Sequence, residues 1–229
     1  MINFCCVAYG KKYKPEYVQK LYNMIKRHLT IPHKFIIFTD QDQVLRRQVE
    51  GDVEFRQFKH HDLEGYWNKL QLFSPEAKLE GVNFYTDLDV VIKQNIDDMA
   101  TYGDENTIGV IRDFGQPKTW YNSSVLKFNN VITGRIWELF NKDRSKWLKY
   151  QGDQNVVTLM CNEQKELSKH LKIYQDTWTQ SYKWLDRSQT RFHRNDWTYE
   201  ESPKAKIVVF HGQPNPHESE MDWVKNNWK

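Results

Sequence analysis

Apolar positions recur along this chain with two alternating periods. Residues 3–9 form a short apolar run closed by Gly10, which reads as a strand, and Pro15 then stands where a first helical turn tolerates it. Val18, Leu21, Tyr22, Ile25 and Leu29 follow at three-to-four spacing, so a helix buries one face and turns its lysines outward. Residues 34–39 are again continuously apolar, 40–47 read as helical and 53–58 as extended. This β-α-β-α-β order predicts a mainly parallel sheet covered by helices, with ligands gathering beyond the carboxyl ends of its strands. A short helix is expected over 66–73, one strand over 82–92, and further strands over 107–111, 123–128 and 206–210. Helices are expected over 132–141 and 153–161, and a long, partly irregular connection over 176–203.

The chain of 229 residues, 39% apolar and 14% aromatic, can bury one sizeable core, and no linker-like stretch divides it, so a single domain is expected. No run is long enough to span a membrane, and the first ten residues read as a strand, not a signal peptide. Cys5, Cys6 and Cys161 have neither a disulfide nor a zinc spacing, which points to a reducing cytoplasm. The net charge of +3 names no partner. Its distribution says more: between residues 11 and 34 seven Lys or Arg face the single Glu16, so one surface is positive.

Asp87 and Asp89 interrupt the most apolar of the runs, VNFYTDLDVVI. In a strand both carboxylates share one side and Leu88 takes the other. Burying an unpaired carboxylate costs on the order of several kcal/mol, and two side by side force one to protonate unless a cation neutralises them. A divalent metal with hard oxygen ligands, Mn2+ or Mg2+, meets that need. For an isolated triplet of this kind, strand capping or pairing with lysines is the better reading; here the apolar strand before it, VVI after it and Asp97-Asp98 leaving on a separate turn favour the metal.

In this order the motifs resemble the GT-A glycosyltransferases, in particular the glycogenin-like, retaining branch and its small phage and bacterial members. YTDLDVVI is similar to the family's DxD strand, YNSSVLKF from Tyr121 to its FNSGV strand, GDQ at Gly152 to its acidic helix start, and HGQPNP from His211 to its terminal loop. The resemblance runs from about residue 3 to about residue 218. It implies a single GT-A domain of Rossmann-like, mixed but mainly parallel α/β architecture. Residues 1–100 would form the nucleotide-binding part and 101–229 the acceptor side.

The resemblance also implies roles. Asp87 would touch ribose and metal, Asp89 would bind the metal, and His211 would be the third protein ligand, shaped by Gly212, Pro214 and Pro216. Ala8, Tyr9, Gly10 and Tyr13, with Thr39, Asp40 and Leu88, would surround the nucleotide, although strand termination and helix capping account equally well for several of them. Lys69 would meet the donor phosphates or sugar, with a surface lysine as the competing reading. Asp153, Gln154 and Asn122 would surround the sugar, and a covalent role for Asp153 or Gln154 stays open. Two departures stand out. Asn215 replaces a phosphate-binding lysine, which leaves Lys69, Lys183 or Lys225 to neutralise the diphosphate, and Ser124 replaces a glycine.

The implied donor is a nucleotide diphosphate sugar, a UDP-sugar first. The acceptor is sought in the segment holding Trp178, Tyr182, Lys183, Trp184, Arg187, Arg191, His193, Arg194 and Trp197. Aromatics interleaved with cations stack on sugars or hold splayed bases beside phosphates, so a hydroxylated pyrimidine of phage DNA and a saccharide both fit, and so does packing on the core. A non-catalytic nucleotide-sugar-binding protein and a metal-dependent phosphohydrolase are the alternatives outside this class.

Overall fold

The computed structural model describes residues 1–115, 119–185 and 202–229. The first half follows the sequence pattern closely: β1 (Ile2–Ala8), α1 (Pro15–His28), β2 (His33–Thr39), α2 (Asp42–Gln48) and β3 (Val53–Gln57). A 3-10 helix (Gly65–Phe73) leads to β4 (Asn83–Thr86), β5 (Val90–Ile92) and α3 (Asp97–Ala100). Then come β6 (Ile108–Arg112), β7 (Tyr121–Phe128), α4 (Asn130–Lys142), α5 (Arg144–Trp147), α6 (Asp153–Glu163) and α7 (Lys165–Ser168). β8 (Leu171–Ile173), β9 (Thr179–Ser181), β10 (Ile207–Val209) and α8 (Asp222–Asn227) follow, with further single-turn 3-10 helices at Pro75–Ala77, Asp176–Trp178, Tyr182–Trp184 and Pro216–Glu218.

Seven strands make one sheet in the order β3-β2-β1-β4-β7-β6-β8, in which β7 alone runs against its neighbours. Both faces are covered, as a parallel sheet requires. Phe4, Cys6 and Ala8 of β1 join the core under α1, while Cys5 and Val7, pointing the other way, join the core under α4 and α6. All three cysteines are free and buried. α1 has no side-chain cap at Lys14, a loss of roughly 1 kcal/mol. Its buried stripe of Tyr17, Val18, Leu21, Met24 and Ile25 contributes about 1.5–3 kcal/mol per large apolar side chain, so packing decides the helix.

The run over 82–92 is not one strand. Asp87 N–H donates to the Ser124 carbonyl at 2.9 Å, which extends the β4–β7 ladder by one residue. The Asp89 carbonyl accepts from Phe210 N–H at 2.9 Å, which opens the ladder of a second sheet, β5-β10-β9. The chain therefore changes sheets across Asp87-Leu88-Asp89. Flanking residues on both sides are fully buried, so no change of polarity marks the crossing. β8 and β9, three residues each, are too short to carry a period, and β9 lies inside the segment expected to be irregular.

β7 is bulged where it faces β6: Val110 pairs with Leu126 but Ile111 pairs with Asn122. Ser123, Ser124 and Val125 are thus released from the β6 ladder beside the crossing point. The other end of β6 is tightly packed. A methyl group at Gly109 would lie 2.7 Å from the Tyr174 hydroxyl oxygen and 3.1 Å from Lys127 Cβ, and Tyr174 is held by its hydroxyl donating to the Met99 carbonyl at 3.0 Å. Gly109→Ala is therefore expected to lower unfolding free energy by about 1–3 kcal/mol, read from the midpoint of chemical denaturation.

Candidate active site

A cavity of about 330 Å3 opens beyond the carboxyl ends of β1 and β4. Tyr9 and Tyr13 enter it from the β1–α1 connection, Asp87, Leu88 and Asp89 from the sheet crossing, and Asn122, Ser123 and Ser124 from the β7 bulge. Asp153 and Gln154 come from the first turn of α6, and His211 and Gly212 from the loop after β10. Tyr66 and Lys69 line it together because residues three apart eclipse on a 3-10 helix.

Lys69 organises the wall. Only 6% exposed, it pairs with Asp87 Oδ1 at 2.9 Å and Asp153 Oδ2 at 3.1 Å, and donates to Ser123 Oγ at 3.1 Å. Ser123 Oγ in turn donates to Asp153 Oδ2 at 2.7 Å. Burial opposes the ammonium charge, but the carboxylates of Asp153 and Asp87 outweigh it and raise the Lys69 pKa. Burial likewise opposes the charge of Asp87, yet Lys69 and hydrogen bonds from Tyr85 and Ser124 hold its carboxyl below the usual range. The surface-lysine reading of Lys69 is thereby overturned: its ammonium is matched by two carboxylates remote in sequence.

Asp89 is in the opposite position. It accepts from the Tyr13 hydroxyl at 2.7 Å but has no ion-pair partner among the described residues. Burial and the charge of Asp87 push its carboxyl up to about 6. A buried carboxylate in that state fits a hard divalent cation, which would relieve both effects. His211 borders the same cavity, with its ring stacked 5.3 Å from Phe114 and its Nε2 hydrogen-bonded to Ser181 Oγ at 2.6 Å. Among the described residues, no three His, Cys, Asp or Glu side chains are grouped closely enough to hold a metal ion.

The remaining sequence candidates divide. Asn122 is 5% exposed and its Oδ1 accepts from Ser124 N–H at 2.8 Å, while the Gln154 amide donates to Asp113 Oδ2 at 2.7 Å. Ala8, Gly10, Thr39 and Asp40 do not line the cavity. Instead Ala8 and Thr39 pair across β1 and β2, Asp40 accepts from Gly10 N–H at 3.0 Å, and Thr39 Oγ1 accepts from Gln41 N–H at 3.0 Å. They hold the connection that presents Tyr9 and Tyr13. Ser124 needs no glycine-like backbone, since Lys78 is the non-glycine residue of positive φ among those described. Lys225 lies in α8, pairs with Glu220 at 2.7 Å and stays outside the cavity.

Trp178, Tyr182 and Trp184 are occupied in packing: Trp178 meets Tyr102 edge-on at 5.7 Å, Tyr182 stacks 4.0 Å from Phe210, and Trp184 meets Phe114 edge-on at 5.0 Å. Lys183 is buried, with its ammonium beside Gly212 at the cavity wall. Arg187, Arg191, His193, Arg194 and Trp197 lie outside the described residues. Sequence reasoning missed Lys12, Tyr66, Tyr85 and Asp113. Tyr66, beside Lys69 at a spacing of three, carried a usable signal, whereas Asp113 carried none.

By sequence, the chain matches no family model and no curated protein. By structure it is similar to glycosyltransferases. It superposes on the glycosyltransferase GlyE of Streptococcus pneumoniae with a TM-score of 0.68 and 16% identity, covering 100% of this chain and 64% of that one. The galactosyltransferase LgtC, solved with donor and acceptor sugar analogs, gives 0.62 and 13% over 96% of this chain and 90% of that one. Mouse xyloside xylosyltransferase 1 gives 0.57 and 12% over 91% and 97%. The fold is thus the GT-A fold of glycosyltransferases, a mainly parallel α/β sheet flanked by helices; the chain spans just under two thirds of the GlyE structure.

Two outcomes follow from the charge arrangement. Lys69→Ala strands two carboxylates and is expected to cost about 3–5 kcal/mol of stability, measured by urea unfolding. Asp89 has a folded pKa raised above the ordinary carboxylate value, so its contribution to stability is present below pH 3.8 and lost as pH rises through about 6. At pH 8 without metal, Asp89→Asn should therefore melt at or above the wild-type temperature, and Mn2+ is expected to raise the melting temperature of the wild type but not that of the variant.

Proposed function

We propose that this protein is a metal-dependent glycosyltransferase that moves a sugar from a nucleotide diphosphate sugar, a UDP-sugar first, to a hydroxyl acceptor with retention of configuration. The observation that carries the reading is the junction of Asp87, Lys69 and Asp153 in one cavity, with Asp89 buried beside it and lacking an ion-pair partner among the described residues. The glycosyltransferase fold supports the same reading.

In this reading residues 1–100 hold the nucleotide, with Tyr9 and Tyr13 against the nucleoside and Asp87 on the ribose, while 101–229 form the acceptor side. Asp89 would be the principal ligand of Mn2+ or Mg2+, and Asp87 and His211, which line the same cavity without being grouped with it as a ready-made triad, would complete the set by closing on the ion. Lewis-acid stabilisation of the departing diphosphate is the chemistry that such an ion supplies when bound there. Asp153, fixed by Lys69 and Ser123, orients the sugar hydroxyls and stabilises positive charge at the anomeric carbon, with Asn122 and Gln154 completing the wall. The bond from the anomeric carbon to the phosphate oxygen breaks with its electron pair going to the phosphate. The acceptor oxygen bonds to the same face of that carbon, and its proton passes to the leaving phosphate oxygen.

For the acceptor, a saccharide comes first. LgtC is a neighbour solved with an acceptor sugar analog. Part of the basic run between residues 11 and 34, the positive surface that a DNA acceptor would meet, is used internally: Lys20 pairs with Glu16 at 2.7 Å and sits over the Trp228 ring at 3.8 Å, and Arg27 donates to the Asn227 carbonyl at 2.6 Å. Hydroxymethylpyrimidine DNA is the second acceptor. The deciding assay follows UDP release from UDP-sugars in Mn2+, with mass analysis of saccharides and of digested hydroxymethylcytosine DNA. Asp89→Ala should reduce release by about a hundredfold or more. Phosphate-ester cleavage without a sugar requirement would point instead to a phosphohydrolase, and nucleotide-sugar binding with no release to a binding protein.

A further inference from the structure

A second cavity, about 320 Å3, adjoins the first and shares Lys12 and Gly212 with it as walls. It lies between the β1–α1 connection and the loop after β10, and Lys14, Glu16 and His217 also line it. Glu16 is compensated by Lys20 at 2.7 Å, and the His217 Nδ1 is engaged by the Tyr17 hydroxyl at 2.5 Å. Lys12 and Lys14 are exposed and have no ion pair among the described residues. The Lys12 ammonium stands 4.5 Å from the centre of the Tyr13 ring, whose hydroxyl holds Asp89, so this cation flanks the carboxylate pair.

The two lysines of the first cavity are not equivalent. Lys69 is committed to Asp87 and Asp153 and cannot turn toward a ligand without stranding two buried carboxylates. Lys12 is free of any such commitment. The first cavity sets Asp87, Asp89 and Asp153 against Lys12 and Lys69, so one divalent cation changes its net charge from minus one to plus one. An anion drawn to that charge finds its mobile protein donor on the Lys12 side.

We infer that the gap between these two loops is an anion site that takes a phosphoryl group, with Lys12 as its principal cation and Lys14 as the second. The inference rests on the donor reading above and adds to it a residue that the motifs do not mark. The phosphoryl group comes from the donor diphosphate or from a phosphate on the acceptor, and the probes separate the two.

Calorimetric titration in Mn2+ of wild type, Lys12→Ala and Lys12→Arg tests the site, using UDP, uridine, pyrophosphate, and inorganic phosphate added to UDP-saturated protein. Lys12 is exposed, so the variants should fold, and unchanged melting temperatures verify this. Lys12→Ala is expected to weaken UDP and pyrophosphate roughly tenfold to a hundredfold, leave uridine unchanged, and recover in Lys12→Arg. A loss confined to inorganic phosphate supports the site and assigns it to the acceptor. Equal affinities of wild type and Lys12→Ala for every phosphate-bearing probe overturn the anion site while leaving the donor reading standing. A wild type that ignores UDP but binds pyrophosphate in a Lys12-dependent way overturns the donor reading and leaves the anion site.

Discussion

The rest of the site depends on one buried ammonium between two carboxylates. Lys69 reaches Asp87 from one side and Asp153 from the other, with Ser123 closing the ring. Removing three charges from water costs several kcal/mol per ion, roughly, and is tolerated only when their geometry lets them satisfy one another. That requirement constrains the backbone. The 3-10 helix carrying Lys69 must lie under the end of β4, α6 must begin at Asp153, and β7 must bulge to bring Ser123 between them. Residues from both halves of the chain are thereby locked into one frame.

The second constraint is the change of sheet between Asp87 and Asp89. Because Asp87 is held by β7 and Asp89 by Phe210, the two carboxylates belong to different sheets while remaining two residues apart. The same ladder puts His211 at the cavity, since β10 runs antiparallel to β5 and delivers its carboxyl end where β5 begins. A cation at Asp89 would thus couple the large sheet, the small sheet and the terminal loop. Asp87 already shares the Lys69 ammonium with Asp153, which leaves Asp89 as the carboxylate that a cation would relieve most.

Aromatic side chains that looked suited to a ligand have another task in the described part of the chain. Tyr182 on Phe210 and Trp184 on Phe114 fasten the small sheet and the loop bearing His211. Rings that bury a large area while stacking give these short strands the packing that three residues of ladder cannot provide.

How much of this was legible beforehand follows from the range of each interaction. Local periodicity determined the order of strands and helices through β3, the buried stripe of α1 and the parallel α/β class, because periods of two and 3.6 record which face meets the core. Charges set in an apolar run marked Asp87 and Asp89, and glycine and prolines marked the His211 loop. Tertiary structure alone decided that the run holding Asp87 and Asp89 divides between two sheets, since burial on both sides erases the polarity that would mark the break. It alone paired Lys69 with Asp153, placed Asp113 on Gln154, and set Lys12 between two cavities. Those are contacts between residues far apart in sequence, and no local period records which buried charge will find which partner.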